Sequence, residues 1–149
     1  MKSLLEGIQI SDDMSKRELE ELFNNLCELV EFEFWISIEE GFEKNSYWIA
    51  TPDEEISEDD FVGIIEIDIE LDPLTKICAL THEVGHFLLD QDIDFRYDMH
   101  LMFEESLAWY LGYKFFKERG IVIDLDKYKK DASWCLEQYV RSLNEQDSK

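Results

Sequence analysis

One run of residues constrains the fold more than any other: Ile77 to Leu89, ICALTHEVGHFLL. Wound as an α-helix, it places Ile77, Leu80, Thr81, Val84 and Leu88 on one stripe. The opposite side carries Cys78, His82, Gly85, His86 and Leu89 and is also mostly apolar. A helix apolar around its whole circumference must be enclosed by the rest of the chain, and its polar groups must find partners inside. Gly85 adds a second constraint. A glycine inside a helix costs about 1 kcal/mol relative to alanine, which suits a place where another backbone comes close.

His82 and His86 are four residues apart, so their rings stand one above the other and can offer two nitrogens to one ion. Glu83 is turned about 100° from His82. It can reach a water on that ion without having to ligate it. Two histidine ligands and a neighbouring carboxylate base form the donor pattern of zinc hydrolases. The plainer alternative is a structural pair of histidines. The apolar flanks favour the ion, because two enclosed histidines need a partner.

A catalytic zinc takes three protein ligands and keeps one position open. Downstream candidates for the third are Asp92, Asp94, His100, Glu104 and Glu105. Asp92 would need a glycine turn where Leu89 stands, and His100 can equally be solvated. The window Leu101 to Phe116 is nearly all apolar or aromatic, with charge only at Glu104, Glu105 and Lys114. A carboxylate buried there without a partner would cost several kcal/mol, so it calls for a cation or hydrogen bonds. The two glutamates point about 100° apart, so one of them is expected to face the metal.

The chain has 149 residues, 45% of them hydrophobic and 13% aromatic, enough for one core over residues 1–149 without disulfides. Its formal net charge of -22 repels phosphates, which argues against nucleic acid as a direct partner and allows a basic protein or peptide. The carboxylates are spread along the chain rather than gathered in one block, which counts against an acidic DNA mimic. Cys27, Cys78 and Cys135 are odd in number and far apart, so reduced thiols in a cytoplasmic protein are expected. Residues 1–10 hold no secretion signal and no run of 18 apolar residues exists, so no membrane span is expected.

Along the chain, Ser15-Lys16-Arg17-Glu18 is a capping box opening a helix through about Val30. Glu31 to Ile38 then alternates and reads as a strand with Phe32, Phe34, Ile36 and Ile38 on one side. Glu39-Glu40-Gly41 reads as a turn, Asn45 to Ala50 as the returning strand, and Pro52 to Asp60 as an acidic loop. Phe61 to Leu71 alternates most cleanly, with Ile65, Ile67, Ile69 and Leu71 on one face. A strand wet on one side suits an antiparallel or edge position, where it could hold an extended peptide.

Pro73 suits the first turn of the helix that carries His82. After a loop at Asp90 to Asp94, Asp98 is a candidate cap for a long helix ending near Arg119, with Gly120 as its stop. Ile121 to Asp124 reads as an extended connector and Asp126 to Leu143 as a last helix, with fraying from Asn144. The fold class that follows is α+β: an antiparallel or mixed sheet of about three strands against helices, one of them carrying the two histidines.

The strand, LTHEVGHFLL and a downstream Glu-x-x-Ala helix together resemble the zincin metallopeptidases with a glutamate third ligand. More narrowly, the stretch from Phe61 to Gly120 is similar to the small ImmA/IrrE-type zinc peptidases of bacteria and their phages. In that family the ligand glutamate stands three residues before an alanine, and Glu105-Ser106-Leu107-Ala108 has that spacing. The resemblance therefore implies Zn2+ on His82, His86 and Glu105, with Glu104 as second choice and Glu83 as the catalytic base. It implies cleavage of a peptide bond in a specific, regulatory intracellular protein. Tyr97, Tyr110, Tyr113 and His100 are candidates to steady the oxyanion. After Ala108 the chain departs from the family, with Trp109-Tyr110-Leu111-Gly112-Tyr113 in place of a small-residue pattern. A non-catalytic zincin-like scaffold that binds a partner through its acidic surface is the competing expectation.

Overall fold

The computed structural model describes residues 7–41, 45–49, 63–90 and 101–147. They form a mixed α+β fold of four helices and two small sheets. In chain order the elements are β1 (Ile8–Ile10), α1 (Lys16–Phe34), β2 (Ser37–Gly41), β3 (Ser46–Ile49), β4 (Gly63–Asp68), α2 (Pro73–Asp90), α3 (Leu101–Glu118), β5 (Ile121–Ile123) and α4 (Leu125–Asp147).

The capping box opens α1 as expected: the Ser15 hydroxyl oxygen accepts from the Glu18 N–H at 3.1 Å. The helix then runs past Val30 to Phe34, where a strand was expected. Alternation over Phe32 and Phe34 misleads here, because Val30 and Phe34 also stand four apart on a helix stripe. Phe34 packs against Phe87 of α2 and Phe115 of α3, with ring centroids 4.9 and 5.1 Å away, while Phe32 is 80% exposed. Trp35 closes α1 in the left-handed region at φ 57, its N–H donating to the Glu31 carbonyl at 3.0 Å. Arg119 braces the same end, pairing with Glu33 and lying 3.6 Å over the Phe115 ring.

The three-stranded sheet has the order β2–β4–β3. β3 and β4 are antiparallel, but β2 runs parallel to β4 over Ser37↔Ile64 to Gly41↔Asp68. Three expectations are corrected by this pairing. Glu39-Glu40-Gly41 lies within strand β2 rather than in a turn. β3 returns alongside β4 and not alongside β2. β4 is the central strand, so both its edges are filled and neither can take a peptide; its alternation reported one wet face, not a free edge. Ile65 and Ile67 are buried, whereas Ile69 lies beyond the strand end and is 41% exposed.

A second sheet was not expected. Ile121–Ile123 pairs in parallel with Ile8–Ile10, Gly7 N–H donating to Gly120 C=O at 2.8 Å. Ile10, Ile121 and Ile123 are fully buried there. Gly120 ends α3 at φ +77, as its place in the sequence implied. Asp124 then caps α4, its carboxylate accepting from the Asp126 and Lys127 N–H groups at 3.1 and 3.4 Å. α4 runs to Asp147, beyond the expected end at Leu143. The core is centred on α2, with Ile77, Leu80 and Val84 at no measurable exposure. No helix among the described residues is long and apolar enough to cross a membrane.

Candidate metal centre

α2 starts where Asp72 accepts from the Thr75 N–H at 3.1 Å and the Thr75 hydroxyl at 2.7 Å, with Pro73 in the first turn. This fixes the helical phase that sets His82, Gly85 and His86 on the side facing α3. The two helices touch backbone to backbone. A Cβ on Gly85 would fall 1.7 Å from the Ala108 carbonyl oxygen, and one on Gly112 would fall 1.9 Å from that of Thr81. The approach anticipated at Gly85 is therefore met by α3. Glu105, Ala108, Trp109 and Gly112 share one face of α3 at helical spacing, so the same crossing carries Glu105 to the histidines.

Glu105 Oε2 accepts from His82 Nε2 at 2.7 Å and lies 3.0 Å from His86 Nε2. Their donor atoms all lie within 4.8 Å of one another. Glu83, His86 and Glu105 are buried and His82 nearly so. Burial alone would raise the Glu105 carboxyl, but the two histidines hold it well below the usual carboxylate range. Burial pushes His82 down. Burial opposes the charged form of His86 too, yet the bond to Glu105 and the nearby carboxylates hold it above its ordinary value. Burial, reinforced by the charge of Glu105, pushes Glu83 up to about 7.

Does this cluster fit a zinc ion? Zinc bonds to nitrogen and oxygen run about 2.0–2.2 Å, so tetrahedral neighbours stand about 3.4 Å apart. The 2.7 and 3.0 Å separations are a few tenths of an ångström tighter, as they should be where protons bridge the donors. Exchanging those protons for a dication asks only for a small opening of the same triangle. Two imidazoles and one carboxylate are also a donor set that suits zinc. The residues fit the ion.

The three donors and Glu83 border a cleft of about 670 Å³. Glu104 borders it as well, but the carboxylate bridging both histidines belongs to Glu105. Tyr110 is 58% exposed and Tyr113 lies against Tyr128 at 5.4 Å between ring centroids; neither borders the cleft. Asp92, Asp94, Tyr97, Asp98 and His100 fall outside the described residues.

Sequence reasoning missed the cleft wall that α4 supplies through Asp131, Trp134 and Cys135. Their i, i+3, i+4 spacing puts all three on one face of the helix and was a usable signal. It also missed Trp109, whose indole stacks on the His82 ring at 4.1 Å and 9°. Cys27, Cys78 and Cys135 are all unpaired. No family model, curated protein or solved structure matches the chain.

Proposed function

We propose that the chain is a zinc-dependent endopeptidase of the zincin type, hydrolysing a peptide bond in a specific intracellular protein. One observation carries this reading: His82 and His86 from α2 and Glu105 from α3 converge on a single point beside the buried carboxylate of Glu83. His82, His86 and Glu105 would hold the metal. When bound, zinc supplies a Lewis acid that acidifies water and polarises a carbonyl.

Glu83 accepts the proton of the attacking water on one carboxylate oxygen and returns it to the leaving amine nitrogen. Burial of Glu83 disfavours a bare carboxylate, which helps it take up the proton from water. Trp109 fixes the His82 ring by stacking on it, so that ligand arrives pre-oriented. The carboxylates of Glu104 and Asp131 border the cleft, and with the net charge of -22 they favour a substrate segment rich in lysine or arginine. Three unpaired thiols suit a reducing, cytoplasmic setting.

The test is a comparison of wild type with Glu83→Gln. Both should bind one zinc, and intracellular proteins cut by the wild type should stay intact with the variant. Full biological function in Glu83→Gln would leave a partner-binding scaffold as the surviving reading. A purified protein that takes up no zinc would sink both.

A further inference from the structure

We propose that Trp134 and Glu104 form a subsite that takes one basic side chain of the substrate, arginine in preference to lysine. This rests on the zinc peptidase reading above and names the specificity of that same site. Both residues border the cleft that His82, His86 and Glu105 share, Trp134 from α4 and Glu104 from α3. Trp134 is 66% exposed. Tryptophan is ordinarily mostly buried, and its large apolar face stabilises the fold only when covered. An open indole at the rim of a cleft therefore offers that face to whatever enters. Its placement follows from the helix. Asp131, Trp134 and Cys135 share one face of α4. The Cys135 sulfur accepts from the Trp109 indole and feels the charges of Glu105 and Glu83, and Trp109 stacks on His82 at 4.1 Å. That face of α4 is thus turned toward the histidines, with Trp134 at its solvent edge.

An indole face can receive an apolar side chain or a cation, and the carboxylate decides between them. Asp131 is already joined to Lys127 at 3.0 Å, whereas Glu104 forms no ion pair or hydrogen bond among the described residues. An apolar group arriving there would strip water from the Glu104 charge and give nothing back, while a cation answers it. The charge of Glu104 also reaches His86, so it offsets repulsion between a substrate cation and a zinc ion held by that histidine. A guanidinium can lie flat on an indole and still donate from its edge to a carboxylate. A lysine ammonium is a compact, strongly hydrated charge and gains less from the ring.

The experiment uses the full chain, zinc-loaded and verified by metal analysis, titrated by calorimetry with two series of hydroxamates. One series carries the amino acid before the zinc-binding group, as in N-acetyl-arginine hydroxamate; the other carries it after, as in malonohydroxamyl-arginine amide. Each is made with arginine, with citrulline, which keeps the shape without the charge, and with leucine. In one of the two series the wild type should hold the arginine compound about tenfold more tightly than the citrulline compound. Trp134→Ala and Glu104→Gln should each cut that ratio to about threefold or less, and Trp134→Phe, which keeps a ring face, should fall between. A ratio taken within one protein cancels any change in the hold on zinc. Zinc-loaded protein that prefers leucine, or that does not separate arginine from citrulline in either series, overturns the subsite and leaves the zinc reading standing. A full ratio in Trp134→Ala likewise overturns it. A protein that takes up no zinc overturns the peptidase reading itself, and the subsite with it.

Discussion

Gly85→Ala puts one methyl group where the structure has no room for it. The added carbon would sit 1.7 Å from the Ala108 carbonyl oxygen, against about 3.3 Å for an ordinary carbon–oxygen contact, so α2 and α3 must part by roughly 1.5 Å. The obstructing atom is main chain, within the α3 hydrogen-bond ladder, and cannot rotate away. Alanine gains about 1 kcal/mol of helix propensity over glycine, but forced overpacking costs up to about 3 kcal/mol, so the clash wins. A net loss near 2 kcal/mol lowers Tm by roughly 4–8 °C for a chain of this length.

The same separation draws Glu105 away from His82 and His86, where metal–ligand distances tolerate only about 0.2 Å. Zinc affinity should fall by about 100-fold or more. Thermal melts in chelator report the packing effect alone, and competition against a chromophoric chelator reports the affinity. A Gly85→Ala protein that melts at the wild-type temperature and keeps its zinc affinity would refute the link between the helix crossing and the ligand triangle.

Other outcomes follow from the same geometry. Glu105→Ala should lose stoichiometric zinc while Glu104→Ala keeps it, as read by metal analysis after dialysis; the reverse result would reassign the third ligand. In metal-free protein Glu83 is raised from 4.5 to about 7, so the native state holds that proton more tightly than the unfolded chain. Its stabilising contribution is complete below 4.5 and lost as pH rises through about 7. Glu83→Gln should remove that decline, worth roughly 3 kcal/mol between about pH 5 and pH 8 by urea unfolding in chelator. Parallel pH curves for the two proteins would contradict it. Burial, aided by Glu31 and Glu40, pushes the Cys27 thiol up to about 12, and burial raises Cys78 as well. Iodoacetamide at neutral pH should therefore label neither until the protein unfolds; rapid native labelling of Cys27 would count against that burial.

How far the sequence could be read depended on whether its signals were local. His82, Glu83, Gly85 and His86 sit on one helix, so spacing alone set their relations, and the need for a close neighbour at Gly85 was legible for the same reason. Glu105 stood out as a charge in an apolar helix, although only the crossing of α2 with α3 brings it to His82 and His86. Phe32 and Phe34 misled because Phe34 fits both the alternation of a strand and a helix stripe four residues from Val30, and the aromatic contacts that decide between them come from α2 and α3. Three-residue strands such as Ile8–Ile10 and Ile121–Ile123 carry no periodic signal, and their pairing is entirely non-local. The α4 wall of the cleft is hidden for a similar reason: Asp131, Trp134 and Cys135 border the histidines only where α4 packs beside α3.

The pairing of Ile8 with Ile121 also bears on how the molecule comes to exist. Closing a segment of more than a hundred residues carries a large entropic penalty and is slow compared with forming helices. β5 follows α3 directly, so the segment that returns to pair with β1 is the continuation of the helix that carries Glu105 to His82 and His86. During synthesis the two histidines emerge long before their carboxylate can reach them. A chain that ends before α3 therefore holds Glu83 and both histidines but not the carboxylate that closes the triangle with them.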